Sequence, residues 1–196
     1  MTADRRANML NGTEPVPVVT ATDTVTLVEG STFCLSERTG DIHPGTTHGF
    51  FMRDTRFIST WELRLDGQTP PPMTVLTPEA FAARFVLRQA PRPGVADSTL
   101  LVVRERLVAD GMRETITIDN VGREATAITL VINADADFAD LFAVKGGRSA
   151  AGTATATVAG NELLLRDPSD STRALSITAS GQPIVMPGSL SWRVVI

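Results

Sequence analysis

Leu100-Leu101-Val102-Val103-Arg104-Glu105-Arg106-Leu107-Val108, then Ala109-Asp110-Gly111, then Met112-Arg113-Glu114-Thr115-Ile116-Thr117-Ile118, is the stretch that decides the fold class. Two runs rich in apolar and β-branched residues flank Asp-Gly, the strongest short hairpin signal in the chain. Thr115-Ile116-Thr117-Ile118 alternates polar and apolar, as a strand with one buried face does. The spacing predicts two antiparallel strands joined by a tight turn.

The same grammar continues on both sides. Downstream, a turn at 120–122 leads into 125–133, where Ile128, Leu130 and Ile132 share one face. Further strands are expected at 153–159 and 162–166, around a Gly160-Asn161 turn, and at 174–179 and 190–196. Upstream, 16–20, 24–29 and 32–35 read as short strands, and 57–65 as one strand ending at the Asp66-Gly67 turn. Residues 78–87 fit a helix, with Thr77 as N-cap and Pro78 in the first turn, and Phe85-Val86-Leu87 fits a strand equally well. The fold class is therefore all-β, an antiparallel β-sandwich with little or no helix. It is expected as two large sheets face to face, with the odd-numbered Ile and Leu of the alternating strands inward. Residues 1–14 are polar and read as a flexible N-terminal segment, and 15–196 as one sandwich domain. Trp192 to Ile196 is strand-like to the last residue, so the chain reads as the front part of something longer.

Composition narrows the function classes. The chain has 196 residues, enough to bury a sizeable core without a staple. Its net charge of −4 and lack of a basic block argue against a nucleic-acid partner. No apolar run approaches the ~20 residues of a membrane helix, so no membrane partner is expected. The start, Met1-Thr2-Ala3-Asp4-Arg5-Arg6, has no apolar h-region, and the one cysteine, Cys34, has no partner for a disulfide. A cytoplasmic location follows as the expectation. With 2 Trp and 0 Tyr, the chain lacks the usual platform of a sugar-binding module.

Most catalytic templates are missing. His43 and His48 stand five apart on a Gly- and Pro-rich loop with no cysteine pair, and read as loop histidines making local hydrogen bonds rather than zinc ligands. No Gly-x-Ser-x-Gly elbow and no Gly-Lys-Ser/Thr phosphate loop occurs. Two segments carry more. In Met52-Arg53-Asp54-Thr55-Arg56-Phe57, two guanidinium forks flank a carboxylate. They suit a clamp on a carboxylate or on sugar hydroxyls, or else an ion-paired corner that fixes the loop. In Asn133-Ala134-Asp135-Ala136-Asp137-Phe138-Ala139-Asp140-Leu141-Phe142, three carboxylates fall within six residues. The EF-hand template fails there, because loop position 6 would be Asp140 and position 12 Gly146. A solvated turn, a polysaccharide contact and a contact to another domain all stay open. No metal and no cofactor is expected.

Together these segments carry a resemblance. Gly49-Phe50-Phe51-Met52-Arg53-Asp54-Thr55-Arg56-Phe57-Ile58-Ser59, Trp61-Glu62-Leu63, Asp66-Gly67, and Ala136-Asp137-Phe138-Ala139-Asp140-Leu141-Phe142 before Gly146 resemble the N-terminal domain of bacterial glycogen-debranching-type enzymes, the amylo-α-1,6-glucosidase-like proteins. The resemblance runs from about Val18 to the end, and Lys145 departs from the usual Arg. It implies a β-supersandwich packed against an (α/α)6 barrel of the same polypeptide that carries the catalytic carboxylates. No catalytic residue is then carried over onto this chain. It further implies that Arg53, Asp54, Arg56, Asp135, Asp137, Phe138 and Asp140 face the barrel or its α-glucan cleft. The alternative is a stand-alone carbohydrate-binding or protein-interaction module. Because sandwich loops gather at the sheet ends, Arg53 or Arg56 is expected to pair Asp137 or Asp140. On this reading Asp137→Ala disturbs docking more than it lowers the melting temperature of this chain.

Overall fold

The computed structural model describes residues 23–91, 97–147 and 154–196. The expected strand at 16–20 and the segment 1–14 lie outside them. The chain is all-β. The first sheet is a meander of β1 (Thr24–Glu29), β2 (Thr32–Glu37), β3 (Gly49–Met52) and β4 (Thr55–Ile58). After β5 (Thr60–Leu65) a second meander follows: β6 (Pro72–Glu79), β7 (Ala82–Arg88), β8 (Leu100–Val108) and β9 (Met112–Asn120). Next come β10 (Ala127–Asp135), the five-residue helix α1 (Leu141–Lys145), and a small sheet of β11 (Thr155–Ala159), β12 (Glu162–Arg166) and β13 (Ala174–Thr178). Finally β14 (Ile184–Met186) and β15 (Ser189–Val195) join the earlier strands in a sheet ordered β14-β15-β10-β5. Every strand pairing among the described residues is antiparallel.

The hairpin at 100–118 forms with Val108 opposite Met112, but Ala109-Asp110-Gly111 is a three-residue loop closed by the Ala109 N–H on the Gly111 carbonyl (2.9 Å). Residues 78–87 are not a helix. They hold the end of β6, a turn at Ala80-Phe81 and most of β7, with Pro78 at a bulge of an edge strand, where its missing N–H breaks no ladder. Among the described residues the strands form four smaller sheets rather than two large ones. The expected strand 57–65 breaks at Ser59, whose N–H bonds the Asp135 carbonyl (3.0 Å), so β4 and β5 belong to different sheets. That corner also resets the alternation. Ile58 is buried before it and Leu63 and Leu65 after it, while β10 buries the even-numbered Ile128, Leu130 and Ile132. The odd-numbered rule therefore fails.

Three sheets share one core, in which Leu27, Phe50, Leu63, Phe85, Val102 and Ile132 are all essentially inaccessible. Burying each such side chain contributes roughly 1.5–3 kcal/mol. A second cluster packs Leu163, Leu165 and Ile177 of the β11–β13 sheet on Ala136, Phe138 and Leu190. The β1–β4 sheet is covered on both faces around β3, while the outer face of β1 is exposed. Its outer side stacks Phe33 on Phe51 (centroids 4.6 Å apart) and receives Ala139 and Val144 from α1 and its approach.

Candidate functional site

The two segments singled out from sequence meet along backbone hydrogen bonds. The Arg56 N–H donates to the Ala139 carbonyl (2.9 Å), and the Leu141 N–H to the Asp54 carbonyl (2.9 Å). Between Met52 and Thr55, Arg53 and Asp54 form a two-residue hairpin turn with φ of 49° and 64°, left-handed conformations that favour glycine or asparagine. Phe138 also has φ of 49°, held there by its buried ring, which sits edge-on to Phe57 at 5.6 Å. Asp140 caps α1, its Oδ1 accepting from the Phe142 N–H (2.8 Å).

Side chains divide this motif into two halves. In the buried half, Arg56 donates Nε to Asp137 Oδ1 (3.0 Å) and Nη2 to Asp137 Oδ2, and gives Nη1 to the carbonyls of Thr46 (2.9 Å) and His48 (3.1 Å). The ion-paired corner is thus realised by Arg56 and Asp137. The other half faces outward: Arg53, Asp54, Asp140 and Phe142 are exposed, the phenyl of Phe142 at 70%. Asp135 closes the corner differently. It ends β10, its Oδ1 accepts from the Ala136 N–H (2.8 Å), and burial, reinforced by Asp137, raises its carboxyl above the ordinary range.

A second polar constellation was not anticipated. Arg104 and Arg106 of β8 point into the core with side chains wholly inaccessible. Glu114 of β9 accepts from Arg104 Nε (2.8 Å) and from Arg106 Nε (2.7 Å) and Nη2 (2.5 Å). Asp41 accepts from Arg104 Nη1 (2.5 Å) and from the Leu63 N–H (3.0 Å). Burial would raise the Glu114 carboxyl, but the two guanidiniums outweigh it and hold it below its usual range. The signal was present in the hairpin itself: Leu100, Val102, Arg104, Arg106 and Val108 occupy alternate positions of one strand, so the two arginines share the apolar face.

The cage reaches the surface through β5. Arg64 links Asp41 (3.4 Å) to Glu62 (2.9 Å), and Glu62 Oε1 meets His43 Nδ1 at 2.7 Å. The other ring nitrogen of His43, Nε2, lies 3.2 Å from Glu37 of β2. His43 therefore bridges carboxylates of two strands rather than making only local bonds. Among the described residues, no group of three or more His, Cys, Asp or Glu side chains is placed to hold a metal ion. No helix among them is long and apolar enough to cross a membrane.

A family model described as the N-terminal domain of some glycogen debranching enzymes matches residues 27–196. No curated protein matches the chain.

Proposed function

This chain belongs to the family of N-terminal domains of glycogen debranching enzymes, and from that membership we propose that it is the non-catalytic β-sandwich domain of an α-1,6-glucosidase-type glycoside hydrolase. On this reading it packs on an (α/α)6 catalytic domain of the same polypeptide and forms one rim of the α-glucan cleft. Its docking edge is the exposed half of the motif: Arg53, Asp54, Asp140 and, added by its exposure, Phe142.

The observation that carries this is backbone strain. Five non-glycine residues among those described have positive φ, and two of them, Arg53 and Asp54, are adjacent and exposed in this motif, whereas the third there, Phe138, is held by core packing. Strain of about 1–3 kcal/mol per residue persists where the surroundings over-determine it, and it clusters at functional surfaces. A turn built of Arg-Asp, where Asn-Gly would relax it, favours a role for the two charges beyond the turn. The stand-alone sugar-binding reading is less well supported, because both indoles are engaged by the fold. Trp61 Nε1 donates to the buried Glu114 (3.3 Å) and Trp192 Nε1 to the Ser180 carbonyl (3.0 Å).

Glycoside hydrolysis needs two carboxyl groups roughly 5–9.5 Å apart across the bond. On this reading the catalytic domain supplies them, and the isolated chain releases no glucose from glycogen, limit dextrin or pullulan. Release above a blank, by a preparation free of contaminating hydrolase, overturns that. Docking is tested by adding this chain to its own catalytic domain expressed separately. Wild type should bind, and Phe142→Ser or Arg53→Ala should weaken binding about tenfold with an unchanged melting temperature. Equal binding by wild type and both variants removes this edge from the interface.

A further inference from the structure

His43 stands where the chain leaves its bridge to β5 and enters an exposed loop. The bridge pairs Ile42 with Trp61 through two 2.9 Å backbone bonds, and Pro44 to Thr47 are all exposed before the chain turns in at the buried His48. We propose that His43, bonded as an imidazolium between Glu37 of β2 and Glu62 of β5, is a proton-operated latch that holds the 43–48 loop against two sheets and releases it on deprotonation.

The geometry favours the proton. Both ring nitrogens face carboxylate oxygens, Nδ1 to Glu62 at 2.7 Å and Nε2 to Glu37 at 3.2 Å. A carboxylate only accepts, and a neutral imidazole has one N–H, so only the imidazolium satisfies both contacts. Losing the proton breaks one bond and turns a lone pair onto a carboxylate. The charged groups facing the ring are Glu37 from β2, Glu62 and its partner Arg64 from β5, and His48 from the loop itself, 6.5 Å away between ring centroids. Glu62 is held on its far oxygen by Arg64 (2.9 Å), which keeps it aimed at His43.

The titration runs in the matching sense. Partial burial lowers the affinity of His43 for its proton, but the bonds and charges of Glu62 and Glu37 outweigh it, so the folded value lies above the ordinary 6.5. A raised histidine contributes stability that is fully present below about 6.5 and is lost as pH rises through the folded value. His48 behaves oppositely. Burial lowers it, its Nδ1 has no hydrogen-bond partner, and its stabilising effect is lost as pH falls below the ordinary value. The rest of the loop is pinned by Arg56 on the Thr46 and His48 carbonyls and by Thr46 Oγ1, which donates to the His43 carbonyl (2.7 Å). Opening therefore begins at the His43 end and reaches the His48 N–H through Thr46 Oγ1, which accepts from it (3.1 Å), while Arg56 goes on holding the two carbonyls.

The test is an NMR titration of the whole chain from about pH 5.5 to about pH 9, following the two histidine rings and the amide exchange of 46–48. His43 should titrate above the ordinary histidine value. Exchange at the His48 amide, corrected for the intrinsic base dependence, should become about tenfold faster through that same pH. Glu37→Gln, at a half-exposed site that leaves the fold intact, should move both transitions down together. His43→Gln should leave the loop open at every pH. Exchange that stays flat through the His43 titration, or a transition that does not move in Glu37→Gln, overturns the latch. If His43→Gln does not fold, Glu37→Gln decides alone.

Discussion

Arg56 and Asp137, separated by 81 positions, meet fork to fork with only 3% and 14% of their side chains exposed. The pair welds two loops and is itself withdrawn from solvent. Burial of the pair predicts that its loss acts first on folding, against the sequence-based expectation that Asp137→Ala chiefly disturbs docking, and the melting temperature decides between the two. Removing one partner of a buried pair costs on the order of 3–5 kcal/mol. Arg56 keeps two carbonyl acceptors, which places Asp137→Ala near the lower figure. At about 2–4 °C per kcal/mol for a chain of this size, the melting temperature should fall by about 6–12 °C. A fall below about 2 °C, read by circular dichroism, removes the pair from the contacts that hold this fold.

Gly49 is where the Arg56 side chain crosses the sheet. A Cβ there would lie 2.5 Å from Arg56 Cδ and 2.9 Å from Phe51 Cε2. Gly49→Ala should therefore push Arg56 off Asp137 and cost about 1–3 kcal/mol. Gly111→Ala, where a Cβ meets open space, should change stability by less than about 0.5 kcal/mol. Because Gly49→Ala and Asp137→Ala damage the same contact, denaturant unfolding of the double variant should show less than the sum of the two.

How far these features were legible depends on where their partners sit. The meeting of the two loops followed from their places beside strands, since sandwich loops converge. Which half of the motif is buried did not, because it depends on the bare Cα of Gly49 and on carbonyls of Thr46 and His48. β3 escaped notice because Gly49-Phe50-Phe51-Met52 is covered on both faces and so shows no alternation. The Arg104–Glu114–Arg106 cage was half legible. The parity of the arginines was in the strand, but Asp41, 63 positions from Arg104, was invisible until the sheets were stacked.

The strained turn separates stability from docking. Arg53 and Asp54 occupy the two positive-φ positions of a tight hairpin. Asn and Gly adopt these conformations with least cost, a difference of about 1 kcal/mol or more per residue. The double substitution Arg53→Asn and Asp54→Gly should raise the melting temperature of the isolated chain by several degrees, about 2–4 °C per kcal/mol gained. On the proposed function it should also weaken binding to the catalytic domain, since both charges of the proposed docking edge are gone. A variant that is more stable and docks as well as wild type shows that the charges are not needed for docking.

Glu114 makes the sharpest demand on pH. Its side chain is 2% exposed and pairs with two buried guanidiniums, one of which Asp41 also holds. Burial alone would raise its proton affinity, but Arg104 and Arg106 depress it below the ordinary 4.5. A depressed carboxyl contributes stability that is present above its unfolded value and is lost as pH falls through the folded value. The denaturant midpoint should therefore hold from neutral pH down to about 5 and fall steeply below about 4.5. Glu114→Gln keeps the shape but not the charge, and should lose about 3 kcal/mol or more at neutral pH. Its acid limb should be shallower than that of wild type, because the group that titrates there is gone. Parallel acid limbs for the two chains would mean that another carboxylate governs acid unfolding, and that the cage stays closed well below the pH at which Glu114 is expected to take up its proton.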